Sequence, residues 1–140
     1  MGRYGIDWNK SEEDLTQEDY DTIITETSKI INEKSTEIGE ISIAYYDRGI
    51  EFKRRGDYLQ ALSDYSLSIE LQKRDLDHSY YYYLFAAYYN RGGVFFKLKM
   101  FDEALSDFKE AFIVNPTDKD TLTWIEYLAK LLGKDIYSID

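Results

Sequence analysis

A block of residues occurs twice in this chain, 43 positions apart. Tyr45-Tyr46-Asp47-Arg48-Gly49 with Phe52, then Ala61-Leu62-Ser63-Asp64-Tyr65, returns as Tyr88-Tyr89-Asn90-Arg91-Gly92 with Phe95, then Ala104-Leu105-Ser106-Asp107-Phe108. A glycine, an aromatic three residues later and an alanine nine beyond that, kept in step twice, mean two copies of one helix–turn–helix unit. Such a unit cannot bury its apolar face alone, so it stacks on neighbours into an elongated array. An array of this kind offers a surface for another protein rather than a deep pocket.

Composition narrows the function classes. At 140 residues the chain suits one domain with its own core. Cysteine is absent, which excludes disulfides, thiolate metal sites and a cysteine nucleophile, and suits a reducing compartment. The first residues turn acidic without an apolar stretch, and no run approaches the ~18 apolar residues of a spanning helix. A cytoplasmic location is therefore expected. The net charge is −10, and residues 1–40 alone hold eleven acids against four bases. Nucleic acid and anionic membranes are disfavoured as partners, because both are held by Lys and Arg. The acids read as a solvated face that keeps the protein soluble.

The pattern predicts an all-α fold of about six helices in antiparallel pairs. Residues 1–15 read as a mobile acidic tail, with Trp8 the one side chain suited to dock it. Residues 16–140 read as a single helical-repeat domain. An extra helix covers 16–34, starting at Thr16, with Ile23, Ile24, Ile30 and Ile31 in need of a burial partner. The first repeat covers 36–74, its first helix presenting Ile38, Ile41, Tyr45, Gly49 and Phe52. Gly56-Asp57 turn the chain into a second helix that buries Ala61, Leu62, Tyr65, Ile69 and Leu71. The second repeat covers 77–116, with a turn at Lys99-Met100 and a stop at Pro116. A capping helix over 118–132 shows Leu122, Ile125, Leu128, Ala129 and Leu132 and ends at Gly133. Gly49 and Gly92 lie mid-helix, where glycine costs about 1 kcal/mol against alanine. The missing Cβ is expected to let a neighbouring helix approach, with Ala61 and Ala104 doing the same from the other side.

On these residues the chain resembles the tetratricopeptide repeat family, whose unit runs aromatic-x-x-Leu-Gly-x-x-Tyr, Ala-x-x-x-Phe and then Pro. Tyr45, Gly49, Phe52, Ala61 and Tyr65 match in the first copy. Tyr88, Gly92, Phe95, Ala104, Phe108 and Pro116 match in the second. Arg48 and Arg91 replace the usual Leu, and Lys73 stands where the first copy would carry Pro. The period exceeds the family's 34 by nine, an excess placed between Leu71 and Tyr80. The resemblance covers roughly 42–132 and leaves residues 1–40 outside.

The resemblance implies a non-enzymatic scaffold or adaptor that binds a peptide or helix on the concave surface lined by the first helix of each repeat. That surface would carry Tyr46, Ile50, Lys53 and Arg54, then Phe85, Tyr89, Asn90, Gly93, Phe96 and Lys97. Rings beside long cations suit a peptide of apolar and acidic character. The competing reading has Tyr46, Tyr89 and Phe96 packed against the extra helix. One subclass clamps the C-terminal carboxylate of chaperone tails with Lys, Asn, Asn, Lys and Arg. The matching positions here are Tyr46, Ile50, Asn90, Asp120 and Trp124, so only Asn90 fits and that ligand is set aside.

The alternative is a self-associating module, a homo-oligomer pairing through the tyrosine-rich run Tyr80 to Tyr83 and the open array ends. His78 is the sole histidine, so neither a zinc site nor a Ser/His/Asp set is expected. No cofactor or metal is implied, and Arg91-Gly92-Gly93 inside a helix is no phosphate loop.

Overall fold

The computed structural model describes residue 4 and residues 14–32, 38–74 and 81–136. The tail expected over 1–15, apart from Tyr4, Asp14 and Leu15, lies outside the described residues, as do Trp8, His78 and Tyr80. Six helices follow one another: α1 Gln17–Asn32, α2 Ile38–Arg55, α3 Tyr58–Arg74, α4 Tyr81–Lys97, α5 Phe101–Val114 and α6 Lys119–Leu132. No strand occurs among the described residues.

Five of the described helix ends have a local cause. Thr16 opens α1 with a reciprocal cap: Asp19 N donates to Thr16 Oγ1 at 3.1 Å, and Thr16 N donates to Asp19 Oδ2 at 2.9 Å. The Asp118 carboxylate accepts from Thr121 N at 2.9 Å and caps α6. Helices α2, α4 and α6 all stop in one way, with a left-handed residue that returns its N–H and that of its successor to the last turn. At α2, Gly56 (φ 81) donates to the Lys53 carbonyl and Asp57 to that of Phe52. Gly133 (φ 68) and Lys134 do the same at α6. At α4 the left-handed position falls on Lys99 (φ 61), 43 residues after Gly56.

The helices pack as antiparallel pairs, α2 on α3 and α4 on α5, with α1 against α2 and α6 against α5. The mid-helix glycines sit at the pair contacts. A Cβ on Gly49 would lie 2.9 Å from the Tyr65 ring and 3.3 Å from Asp64 Cβ; one on Gly92 would lie 3.2 Å from the Phe108 ring. What the glycines admit is thus a ring and an aspartate of the second helix, rather than Ala61 or Ala104. Both alanines are fully buried in the two core clusters that run through the array. Part of the extra length of the first repeat lies in α3, which has 17 residues where α5 has 14. Residues 75–80, where the rest was placed, are outside the described part.

Burial departs from the single stripe expected of α2. Its buried residues are Ser42, Ala44, Tyr46, Gly49 and Glu51, while Ile38 is exposed. The reason is that α2 has neighbours on several sides, in α1, α3 and α4, so no one stripe defines its inside. Leu122 of α6 is exposed for the converse reason, that no described helix covers its side of α6.

Candidate functional site

The first helices of the successive units are held in register by one device used twice. Arg48 Nε and Nη2 donate to the two carboxylate oxygens of Asp64 at 2.7 and 2.9 Å, and Nη1 reaches Ser28 of α1 at 3.1 Å. Arg91 repeats this on Asp107 at 2.7 and 2.7 Å, with Ser66 of α3 at 3.0 Å. Each guanidinium also lies over two rings of its own helix, Tyr45 and Phe52 or Tyr88 and Phe95, at 5.6 to 5.9 Å from their centroids. One residue thereby ties a helix to both the preceding and the following one. Burial pushes the Asp107 carboxyl above the usual carboxylate range, against the opposing pull of Arg91. The pair escaped the sequence reading although its signal was present. Arg and Asp both recur at the 43-residue offset, and an arginine in place of an apolar family residue needs a partner.

The same geometry locates α1. Ser28 meets Arg48 as Ser66 meets Arg91, so α1 stands to α2 as α3 stands to α4. Of its isoleucines Ile23 is fully buried, while Ile24, Ile30 and Ile31 are half-buried. The extra helix extends the layer of second helices.

On the α2–α4–α6 face the sequence-predicted residues fall into three groups. Tyr46 is only 7% exposed and packs on Tyr65 and Tyr83, at 6.0 and 5.6 Å between centroids. Burial pushes its phenol well above the ordinary range, and it accepts from Asn90 Nδ2 at 3.2 Å. Asn90 in turn accepts from Lys53 Nζ at 2.9 Å, so Tyr46, Asn90 and Lys53 form one polar bridge between α2 and α4. Arg54 turns toward α1, over the Tyr20 ring at 4.3 Å and near Glu51 at 3.4 Å. Ile50 is half-buried against the first core cluster.

The third group is aromatic. Phe85 stacks on Tyr89 at 5.8 Å, and Tyr89 meets Phe108 edge-on at 5.4 Å. Phe96 meets Trp124 at 4.9 Å and Tyr127 at 6.2 Å across the α4–α6 junction. Phe96, Thr123, Trp124 and Tyr127 line a recess of 290 Å³. Lys97, exposed, follows Phe96 in α4, and a Cβ on Gly93, one turn before it, would meet nothing within 4 Å. Thr123 and Tyr127 were missed from sequence, and Trp124 was weighed only as a clamp position. The signal was an aromatic pair, Trp124 and Tyr127, three residues apart on one side of the capping helix. At the other end of the face, the Tyr4 hydroxyl donates to Asp47 at 2.5 Å. Tyr82 is exposed, while Tyr83 is half-buried against Tyr46.

Among the described residues no cluster of His, Asp or Glu is placed to hold a metal, and no helix is long and apolar enough to cross a membrane.

Residues 85–118 match the model of the tetratricopeptide repeat. No curated protein matches the chain. Among solved structures, the chain is similar to the Arabidopsis OM64 TPR domain, with 19% identity, TM-score 0.64, and coverage of 81% of this chain and 83% of that one. It is also similar to the first TPR of Spaghetti (RPAP3) bound to the HSP90 peptide SRMEEVD, with 21% identity, TM-score 0.67, and coverage of 84% and 83%.

Proposed function

From a chain that has the tetratricopeptide-repeat fold and carries one such repeat at 85–118, we propose a scaffold that holds an extended peptide on its α2–α4–α6 face. The observation that carries this reading is the recess between α4 and α6. Phe96, Trp124 and Tyr127 present ring faces and edges to an opening of 290 Å³, and Tyr127 is 52% exposed. Rigid rings give contact area at little entropic cost, which is why such clusters anchor binding. An apolar side chain fills the recess, and an acidic neighbour in the ligand meets Lys97.

The similar structure that holds an HSP90 peptide supports peptide binding on this fold. The chaperone-tail ligand itself does not suit this chain, because Asp120 and Trp124 stand at clamp positions and Asp120 repels a carboxylate. The ligand proposed is therefore an internal segment that pairs a large apolar residue with acids.

Selection from a random peptide display library tests the reading. Enriched peptides combine an aromatic or large aliphatic residue with Asp or Glu. Tyr127→Ala weakens them at least tenfold, about 1.4 kcal/mol, without moving the melting temperature of the exposed site. Peptides that bind wild type and both Tyr127→Ala and Phe96→Ala equally well would place the ligand elsewhere.

A further inference from the structure

We propose that residues 4–8 dock between α1 and α2, with Trp8 as the anchor, in the place that the first helix of a further repeat unit would take. That end of the array is then closed by the chain's own residues. The fixed point is Tyr4, whose hydroxyl donates to Asp47 Oδ2 at 2.5 Å. Asp47 is the counterpart of Asn90 at the 43-residue offset. Asn90 reaches back to the preceding first helix, donating to the Tyr46 hydroxyl at 3.2 Å and accepting from Lys53 Nζ at 2.9 Å. The Tyr4 phenol thus stands to α2 as the Tyr46 phenol stands to α4, on the side from which a preceding first helix would pack.

The helices beside that place are closed as they would be with it filled. Since α1 holds the position of a second helix, the first helix of its unit would pack on α1 and α2, as α2 packs on α3 and α4. No described helix takes that place. Yet none of residues 41–53 of α2 is exposed, which matches residues 83–96 of α4, a helix with α2 on one side and α6 on the other. An open side looks different: on α6 it leaves Thr123, Tyr127 and Lys130 exposed. On α1 only one narrow stripe is exposed, made of Gln17, Glu18, Asp21, Thr25, Lys29 and Asn32, although α1 packs mainly on α2.

Residues 5–8 fit the place by composition and by reach. Gly5-Ile6-Asp7-Trp8 repeats, type for type, Gly49-Ile50-Glu51-Phe52 of α2. Phe52 packs on the first core cluster and its counterpart Phe95 on the second, so the aromatic at this point of the pattern is one that a first helix turns inward. Trp8 lies four residues beyond Tyr4. An extended chain covers at most about 14 Å in four residues, more than the roughly 8–10 Å between packed helix axes. With Tyr4 held on α2, the indole therefore reaches α1. A second copy is the poorer occupant, because Tyr4 already holds this chain's own residues where the copy would enter.

The test uses the full chain. The difference in fluorescence between wild type and Trp8→Phe isolates Trp8 from Trp124, the other tryptophan. Its emission is expected to lie to the blue of that in the urea-unfolded chain and to resist quenching by acrylamide, equally at low and high protein concentration. Tyr4→Phe keeps the ring, removes only the hydroxyl, and moves the Trp8 emission part of the way toward the unfolded value. Trp8→Ala is expected to speed amide exchange in α1 about tenfold and to leave α5 unchanged, since the opening is local to the elements that lose a contact. Trp8 emission and quenching like those of the unfolded chain overturn the proposal, and so does α1 exchange indifferent to Trp8→Ala. Burial of Trp8 that vanishes on dilution overturns it in favour of a second copy as the occupant.

Discussion

Lys99 occupies a backbone conformation (φ 61) that the equivalent turn of the first repeat assigns to Gly56 (φ 81). A side chain in the left-handed region costs roughly 1–2 kcal/mol. Lys99→Gly is therefore expected to stabilise the protein by about 1 kcal/mol, less the entropy that glycine adds to the unfolded chain, read from urea unfolding at constant slope. The buried ion pairs behave in the opposite manner. Burial disfavours the charged form of Asp107, while its bond to Arg91 holds the guanidinium charged, and ion pairs buried in this way add little net stability. Breaking it leaves a guanidinium without its carboxylate. Asp107→Ala is expected to cost about 3–5 kcal/mol, and the double variant Arg91→Leu with Asp107→Ala to recover much of that loss, measured as a double-mutant cycle.

At the scale of the element, α1 contributes unevenly. Ile23 is fully buried and Thr27 satisfies its hydroxyl on the Ile23 carbonyl at 2.6 Å, whereas Ile24, Ile30 and Ile31 keep part of their surface in water. Ile23→Ala is expected to cost about 2–5 kcal/mol by leaving a cavity against α2, and Ile24→Ala clearly less. Equal losses in thermal unfolding would show that α1 sits deeper on α2 than its burial indicates. The periodicity that revealed α1 did not separate these isoleucines, because spacing marks a stripe and only the neighbouring helix determines which part of it is closed. The same limit applied to the expected stripe of α2. Gly49 and Gly92 were legible as close contacts from their cost alone, but the ring and aspartate that use the space belong to α3 and α5.

Across the whole molecule, stability should grade from the ends inward. In an array each helix is stabilised by its neighbours, and α1 packs mainly on α2 and α6 mainly on α5, with ring contacts to α4, while α2 packs on α1, α3 and α4. Amide hydrogen exchange is expected to be fastest in α1 and α6 and slowest in α2 to α5, through openings smaller than global unfolding. Uniform protection across all six helices would mean that the chain opens only as one unit.

The doubled block of residues, with its glycines, alanines and rings, by itself determined an all-helical repeat array and the turns after α2 and α4. Those features rest on local backbone preference and on contacts within one helical pair, which a linear pattern can hold. The placement of α1 among the second helices required the folded chain, as did the retreat of Tyr46 into the core and the turning of Arg54 toward Tyr20. So did the meeting of Phe96 with Trp124 and Tyr127. Each of these depends on which surface of one unit faces the next, and that is set by packing between segments far apart in the chain.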